Sequence, residues 1–286
     1  MSTSTLSPMD LPGHVLREQN GLRWIEPDGS LGGIARVLFT TRGGGHSRPP
    51  YDSLNLALHV DDVSERVRMN RRAVQAVFGP RVRPPVVMDQ VHGARVAVVG
   101  EIHAGTRWEA PESALAGTDA LVTATLRLPL TVLVADCVPV AIADPKSFRG
   151  VLAVAHAGWR GLAEGILGAT VARLQETYGT DAADCCAWLG PAIGPCCYTV
   201  GAEVAAHFPD DARDGPGGEW RLDIGGAAAR QLAAAGLQPE RITHLSLCTA
   251  CRGDLFFSHR RATQAGDPAT GRQALFAWII PPPAPG

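Results

Sequence analysis

The chain has almost no net charge and no long apolar run, and these two deficits remove whole classes of function before any motif is read. Its 26 basic and 28 acidic side chains leave a formal charge of −2, so nothing in bulk electrostatics draws it to nucleic acid or to an anionic membrane. Any anion site must therefore be local. No apolar stretch approaches the ~20 residues needed to cross a bilayer, and Met1-Ser-Thr-Ser-Thr-Leu-Ser-Pro-Met-Asp10 has neither the cationic start nor the apolar core of a secretion signal. The seven cysteines are odd in number and include the adjacent pairs Cys185-Cys186 and Cys196-Cys197, unlike the framework of a disulfide-stapled secreted domain. These absences predict a protein of a reducing, cytoplasmic compartment.

What is present is enough for a large core: 286 residues, 45% of them hydrophobic. Residues 1–20 read as a loose N-terminal segment, 21–280 as a single domain, and 281–286 as a Pro-rich tail that cannot extend a helix or an inner strand. Short apolar runs predict strands at Arg36–Thr40, Val86–Met88, Arg95–Val99, Ala120–Thr125, Thr131–Ala135, Val138–Ala143, Val151–Ala155, Cys186–Leu189, His244–Cys248, Leu255–Ser258 and Ala274–Ile280. Helices are predicted over Ser64–Phe78, with Ser64 as N-cap and a stop at Gly79-Pro80; over Leu162–Tyr178, stopping at Gly179; and over Asp223–Ala235, stopping at Gly236. Many strands with three irregularly spaced helices predict an α+β fold of mixed sheets flanked by helices, not a regularly alternating doubly wound sheet.

The chemistry gathers at strand ends. Ala135-Asp136-Cys137 and His156-Ala-Gly-Trp-Arg-Gly161 each follow an apolar run, which places a thiol and an imidazole where two strands leave the core. Such a pair is either a Cys/His hydrolase dyad or two ligands of a catalytic metal. Gln90-Val-His92-Gly93 brings a third group to the end of another strand. His92, Cys137 and His156 would form a two-His, one-Cys set suited to Zn²⁺, with a fourth tetrahedral position open. Their spacing fits no short zinc-finger pattern, so satisfied histidines and a structural cysteine remain the alternative.

Seven motifs, in order, resemble the laccase-domain, YfiH-like family: Phe39-Thr-Thr-Arg-Gly-Gly44, Tyr51-Asp-Ser-Leu-Asn-Leu56, Gln90-Val-His-Gly93, Ala135-Asp-Cys-Val-Pro-Val140, His156-Ala-Gly-Trp-Arg-Gly161, Gly190-Pro-Ala-Ile-Gly-Pro-Cys-Cys-Tyr198 and Phe257-Ser-His-Arg-Arg261. They run from about Arg36 to Ile280. The resemblance implies a YfiH-like catalytic domain with His92, Cys137 and His156 as catalytic metal ligands, holding Zn²⁺ or Cu²⁺. It implies a purine nucleoside phosphorylase acting on adenosine, inosine and methylthioadenosine, with adenosine deamination as a side activity. The alternative activity in the family is peptidoglycan editing, in which the amide of a mis-incorporated serine in a cell-wall precursor is hydrolysed. The family's other label, copper-dependent polyphenol oxidase, implies several copper centres, yet the chain has nine histidines and no His-X-His pair. The His-X-Glu and Pro-Cys-X-X-Cys signature of zinc nucleobase deaminases is missing too, so deamination would use another scaffold. A non-catalytic binding protein that keeps the metal for stability is the reading from a different class.

Phosphorolysis requires cationic oxygen binders. The candidate substrate contacts are Arg42 in the glycine-rich Thr41–Gly45 turn, Asn55, Arg160, Arg260, Arg261 and Arg272. The turn lacks the Gly-Lys-Ser/Thr of a nucleotide-binding P-loop, so a plain surface loop competes with that role. Arg160 could instead pair with a carboxylate beneath the sheet. Asp89 and Asp136 are candidates to orient a ligand or move a proton, although strand alternation turns Asp136 away from Cys137. Gln90 and Asp119 read as structural, and Trp159 as a packing anchor or a purine stacking surface. Cys196-Cys197 and Cys248-Thr-Ala-Cys251 offer a ligand spacing but no second pair at ribbon spacing, and so read as small buried thiols.

Overall fold

The computed structural model describes residues 11–110, 115–147 and 150–282. In chain order the elements are β1 (His14–Gln19), β2 (Leu22–Pro27), β3 (Ala35–Thr40), α1 (Ser64–Phe78), β4 (Val86–Val87), β5 (Val96–Val98), β6 (Ala120–Thr123), β7 (Leu130–Val134), β8 (Val138–Asp144) and β9 (Val151–Ala157). There follow α2 (Trp159–Ala163), α3 (Ile166–Tyr178), β10 (Cys186–Leu189), β11 (Thr199–Val200), α4 (Ala202–Ala205), β12 (Ala212–Asp214), β13 (Trp220–Leu222), α5 (Ile224–Ala234), β14 (Ile242–His244), α6 (His259–Gln264) and β15 (Gln273–Ile279).

Two six-stranded mixed sheets pack face to face. One runs β1-β2-β3-β15-β7-β4 and the other β14-β10-β8-β9-β6-β5, while β11-β13-β12 form a small third sheet. Alternation sorts the apolar residues into layers. Val132 and Val134 of β7 meet Ala141 and Ala143 of β8 and Leu152 and Val154 of β9 in the core between the sheets. The opposite face of β8 and β9, with Val140, Ile142, Ala153 and Ala155, packs on Ile166, Val171 and Leu174 of α3 and Leu232 of α5. The outer face of the first sheet carries Leu133, Phe276 and Trp278 against Val74 and Phe78 of α1. Phe78 lies 5.0 Å from each of the Phe276 and Trp278 rings; truncating such an anchor typically costs about 3–5 kcal/mol. The result is a four-layer α+β sandwich, helix on sheet on sheet on helix.

The expected helix over Leu162–Tyr178 is broken into α2 and α3. Gly165 sits between them at φ +84°, a left-handed conformation that glycine adopts without steric cost. Helix α1 has the expected bounds, but its cap is Val63 and no side chain caps it, so Ser64 is the first helical residue. Asp223 does cap α5, accepting from Gly226 N–H at 2.9 Å.

The loose segment expected over 1–20 is corrected for His14–Gln19, which pairs antiparallel with β2 over its whole length; its mixed charge hides an edge strand. Residues 1–10 lie outside the described residues, as do 283–286 of the Pro-rich tail. Leu255–Ser258 is not a strand. Leu255 and Phe256 N–H both turn back to Arg252 O, and Phe257 is bracketed by the Gln273 side chain, which accepts from its N–H at 2.8 Å and donates to its carbonyl at 3.0 Å. A side-chain amide here replaces a neighbouring strand. The strand expected at His244–Cys248 lies earlier, at Ile242–His244.

Candidate metal and substrate site

The register of the second sheet assembles the first two donors. Val138 pairs with Ala157 and Pro139 with His156, so Cys137, at the entrance of β8, stands beside His156 near the exit of β9. Residues 152, 154 and 156 of β9 share the inter-sheet face, so His156 is a polar end to an apolar row and is buried. His92 arrives from the loop after β4, at φ +64°. Its ring lies 4.7 Å from that of His156, inclined at 73°. One ligand atom from each of His92, Cys137 and His156 lies within 4.8 Å of the others.

Asp119 holds this arrangement together. Its buried carboxylate accepts from the backbone N–H groups of Val91 (3.1 Å), His92 (3.0 Å) and Gly93 (2.9 Å), and it lies 2.8 Å from His156 Nδ1. Burial opposes its ionisation, but the His156 hydrogen bond and the backbone donors outweigh that and depress its pKa. An ionised carboxylate only accepts, so Nδ1 carries the proton and Nε2 faces the other donors. Asp119, read as structural in the sequence, thus orients two of the three donor residues at once.

The thiol is activated by the same neighbours. Burial favours the neutral form of Cys137, yet the charge and hydrogen bond of His156, with those of His92, hold it down at about 6. Burial likewise disfavours the His156 imidazolium, but Cys137 and Asp119 raise it to about 9. A thiolate facing an imidazolium is how two imidazoles and a thiolate behave when a proton occupies the place of a cation. That donor set, soft and anionic with three close ligand atoms, fits a borderline-soft divalent ion and leaves a fourth position free. Gly158 completes the fit: a Cβ there would come to 2.9 Å of His92 Cδ2 and 3.0 Å of Cys137 Sγ.

The donors open into a cavity of about 570 Å³ that also reaches Gln90, Asp136, Trp159, Arg160, Tyr198, Arg260 and Arg272. Arg260 is braced by its guanidinium on Thr199 O (2.6 Å) and over the Tyr198 ring (5.2 Å). Arg272 donates to Thr270 O (2.8 Å) and Gly271 O (3.1 Å), and Arg160 lies over Trp159 at 4.4 Å. Asp136 is in the cavity wall after all. It sits at φ +99°, in the turn between β7 and β8, where strand alternation no longer applies. Its carboxylate accepts from Thr249 Oγ1 (2.6 Å) and Arg260 N–H (2.7 Å), and its negative charge acts on the Arg272 guanidinium.

Other expected contacts lie elsewhere. Arg42 is spent on Asp52 and Gly253 O and lines a separate shallow cleft. Asn55 is fully buried; it accepts from the N–H of Arg272 (3.0 Å) and donates to Asp62 (2.9 Å), supporting the cavity from behind. Arg261 binds the carbonyls of Thr249, Ala250 and Phe256. Asp89 pairs with Arg107 at 3.3 Å, and Gln90 bonds both backbone groups of Leu133. His59, His259 and Tyr198 line the cavity although the sequence reading gave them no role; for Tyr198 and His259 the signal was their place inside two of the quoted motifs. Burial and nearby arginines lower His59 to about 4, so it is neutral at physiological pH. The cysteines read as small buried thiols are neither apart nor buried: Cys196 and Cys251 are exposed, Cys197 and Cys248 half-buried, and the parallel bridge between Ala192 and Cys248 draws their loops together.

A family model described as multi-copper polyphenol oxidoreductase laccase matches residues 36–280. The chain belongs to that family. Among laccase-family relatives, a protein of Geobacillus stearothermophilus named purine nucleoside phosphorylase YlmD is 37% identical over 246 residues, covering 83% of this chain and 88% of the relative. Purine nucleoside phosphorylase YfiH of Escherichia coli is 37% identical over 265 residues, covering 90% and 97%. The crystal structure of the Geobacillus YlmD superposes with a TM-score of 0.84 at 34% identity, covering 93% of this chain and 98% of that one.

Proposed function

We propose that the chain is a zinc-dependent purine nucleoside phosphorylase of the cytoplasm, acting on adenosine, inosine and methylthioadenosine, with deamination of adenosine as a side activity. The observation that carries this reading is the sharing of one cavity by the His92, Cys137, His156 donors and three arginines, Arg160, Arg260 and Arg272. The names of the relatives, purine nucleoside phosphorylases, support it.

In phosphorolysis a phosphate oxygen attacks the anomeric carbon, the glycosidic C–N bond breaks, and the base leaves with the bonding pair and takes up a proton. Arg260 and Arg272, each braced through backbone carbonyls, would bind and orient the phosphate, with Arg160 at the rim. Trp159 and Tyr198 offer aromatic surface for the base. His92, Cys137 and His156 would hold the metal, with Asp119 fixing the first and last. When bound, Zn²⁺ supplies Lewis-acid polarisation of a substrate oxygen or nitrogen, without redox chemistry.

The test is cleavage of inosine with and without inorganic phosphate. Phosphate-dependent release of hypoxanthine and ribose 1-phosphate, lost in His92→Ala and Cys137→Ala, is expected; full activity after metal stripping would overturn the reading. The Cys137–His156 ion pair specifically favours one second reading, a thiol amidase editing a peptidoglycan precursor, with Cys137 as nucleophile and His156 as base. A trapped thioester on Cys137 would select it, whereas a stoichiometric metal held by the same sulfur would not allow it.

A further inference from the structure

Far along the chain from the first donor set, two loops bring four thiols together. Cys196 and Cys197 lie in a turn closed by the N–H groups of Cys197 (3.0 Å) and Tyr198 (2.9 Å) donating to Gly194 O. Cys248 and Cys251 lie in a second turn, closed by Arg252 N–H donating to Cys248 O at 3.0 Å. The turns are joined by Thr249 N–H to Ala192 O (3.0 Å) and by Gly194 N–H to Cys248 Sγ (3.2 Å). Cys251 Sγ is 3.5 Å from Cys196 Sγ and 3.4 Å from Cys197 Sγ, and all four sulfur atoms lie within 4.8 Å of one another.

We propose that Cys196, Cys197, Cys248 and Cys251 form a second metal site, a closed tetrathiolate centre for a single Zn²⁺. A tetrahedral ion with Zn–S bonds of about 2.3 Å separates its sulfur atoms by about 3.8 Å; two of the pairs here lie slightly closer than that, and all four sulfur atoms stay within 4.8 Å of one another. An iron–sulfur cluster, with inorganic sulfide between its irons, spreads its cysteines more widely. A disulfide needs sulfur atoms at about 2 Å, and all four cysteines are free thiols. The backbone supplies what such a site requires around it. Gly194 N–H already donates to one sulfur, and Arg221 and Arg261 bind carbonyls of Cys196, Thr249 and Ala250, setting positive charge beside what would be a dianionic centre.

The position gives the centre a purpose. Ile193 and Tyr198 flank the first cysteine pair and line the substrate cavity. Thr249, between the second pair, holds the Asp136 carboxylate, and Ile193 N–H donates to Asp136 O at 2.9 Å. An ion there clips two distant stretches of chain behind one wall of the cavity, and all four of its positions are filled by protein. It is a structural site, with none left for substrate.

The test is metal counting on protein purified under reducing conditions, in the wild type, His92→Ala, Cys251→Ser and Cys248→Ser. Two equivalents of zinc in the wild type are expected, falling to one in each variant. Cobalt reconstitution of His92→Ala should show the intense sulfur-to-metal charge-transfer bands of a tetrathiolate ion, which keeps the proposal testable if a cysteine variant fails to fold. If the cavity donors bind no metal, the wild type holds one equivalent that His92→Ala retains and Cys251→Ser loses; that outcome sinks the zinc-dependent phosphorylase and upholds the second site. Cysteine variants that keep the full wild-type zinc content, iron with acid-labile sulfide, or a disulfide among these four residues would each overturn it.

Discussion

The chain carries two groups of sulfur-bearing donors, and they are built to opposite plans. The set at Cys137 lies where buried strands end, mixes one thiol with two imidazoles, and is held from behind by Asp119. The set at Cys251 lies on two surface turns, uses thiols alone, and is held by backbone N–H groups and the turns themselves. Three donors facing a cavity leave room for a reactant; four donors facing one another leave none. Burial, donor mixture and the number of close ligand atoms together distinguish a site for chemistry from a site for architecture.

The comparison breaks most violently at Asp119. Asp119→Ala strands three backbone N–H groups and the His156 imidazole in the core, and is expected to cost roughly 3–5 kcal/mol of stability and to empty the cavity site while leaving the four-thiol site loaded. Denaturant titration with metal analysis checks this, and a stable variant with full cavity-site metal would show that Asp119 does not organise the site. Next comes Gly158→Ala, whose Cβ crowds His92 and Cys137. A displacement of about 1 Å at reacting groups can cost about 10²-fold in rate, so phosphorolysis should fall by that order while the melting temperature barely moves.

Arg260→Ala and Arg272→Ala should each raise the KM for phosphate about tenfold to a hundredfold, the loss expected for one charge-assisted contact, with little change for the nucleoside. Equal effects on both substrates would relocate the phosphate. The gentlest test is titration of the thiols in metal-stripped protein. Cys137 is lowered to about 6 and Cys185 raised to about 12, in Cys185 by burial and then by Asp144. Above pH 6 Cys137 is therefore mainly thiolate and alkylates readily; below pH 6 it protonates and slows, and Cys185 stays inert at neutral pH. Added Zn²⁺ should protect Cys137. An inflection near pH 9 for Cys137 would show that the ion pair with His156 does not form.

Much of the site was legible because its residues sit in local words. The apolar runs before Cys137 and His156 are β7 and β9, and the motif span from about Arg36 to Ile280 is the span the family model matches. What sequence could not express was pairing across distance. Asn55 and Arg42 carry the polar character of substrate contacts, but one backs Arg272 and the other closes a turn on Asp52. Asp119 looked ordinary because its partners at Val91–Gly93 and His156 come from separate segments. The cysteine pairs were underestimated for the same reason: their spacing is informative only once Ala192 and Cys248 are bridged. Asp136 was turned the wrong way because alternation was extended through a residue that is no longer in a strand.

The pairing of Pro139 with His156 at one end of the β8–β9 ladder has a consequence for lifetime. Both strands are buried along their full length, and amides in such a ladder exchange with deuterated solvent only through openings close to global unfolding. The frame carrying Cys137 and His156 therefore persists as long as the native state does. Gradual heating should abolish turnover and tertiary structure in one step, with no folded but disarmed species between them.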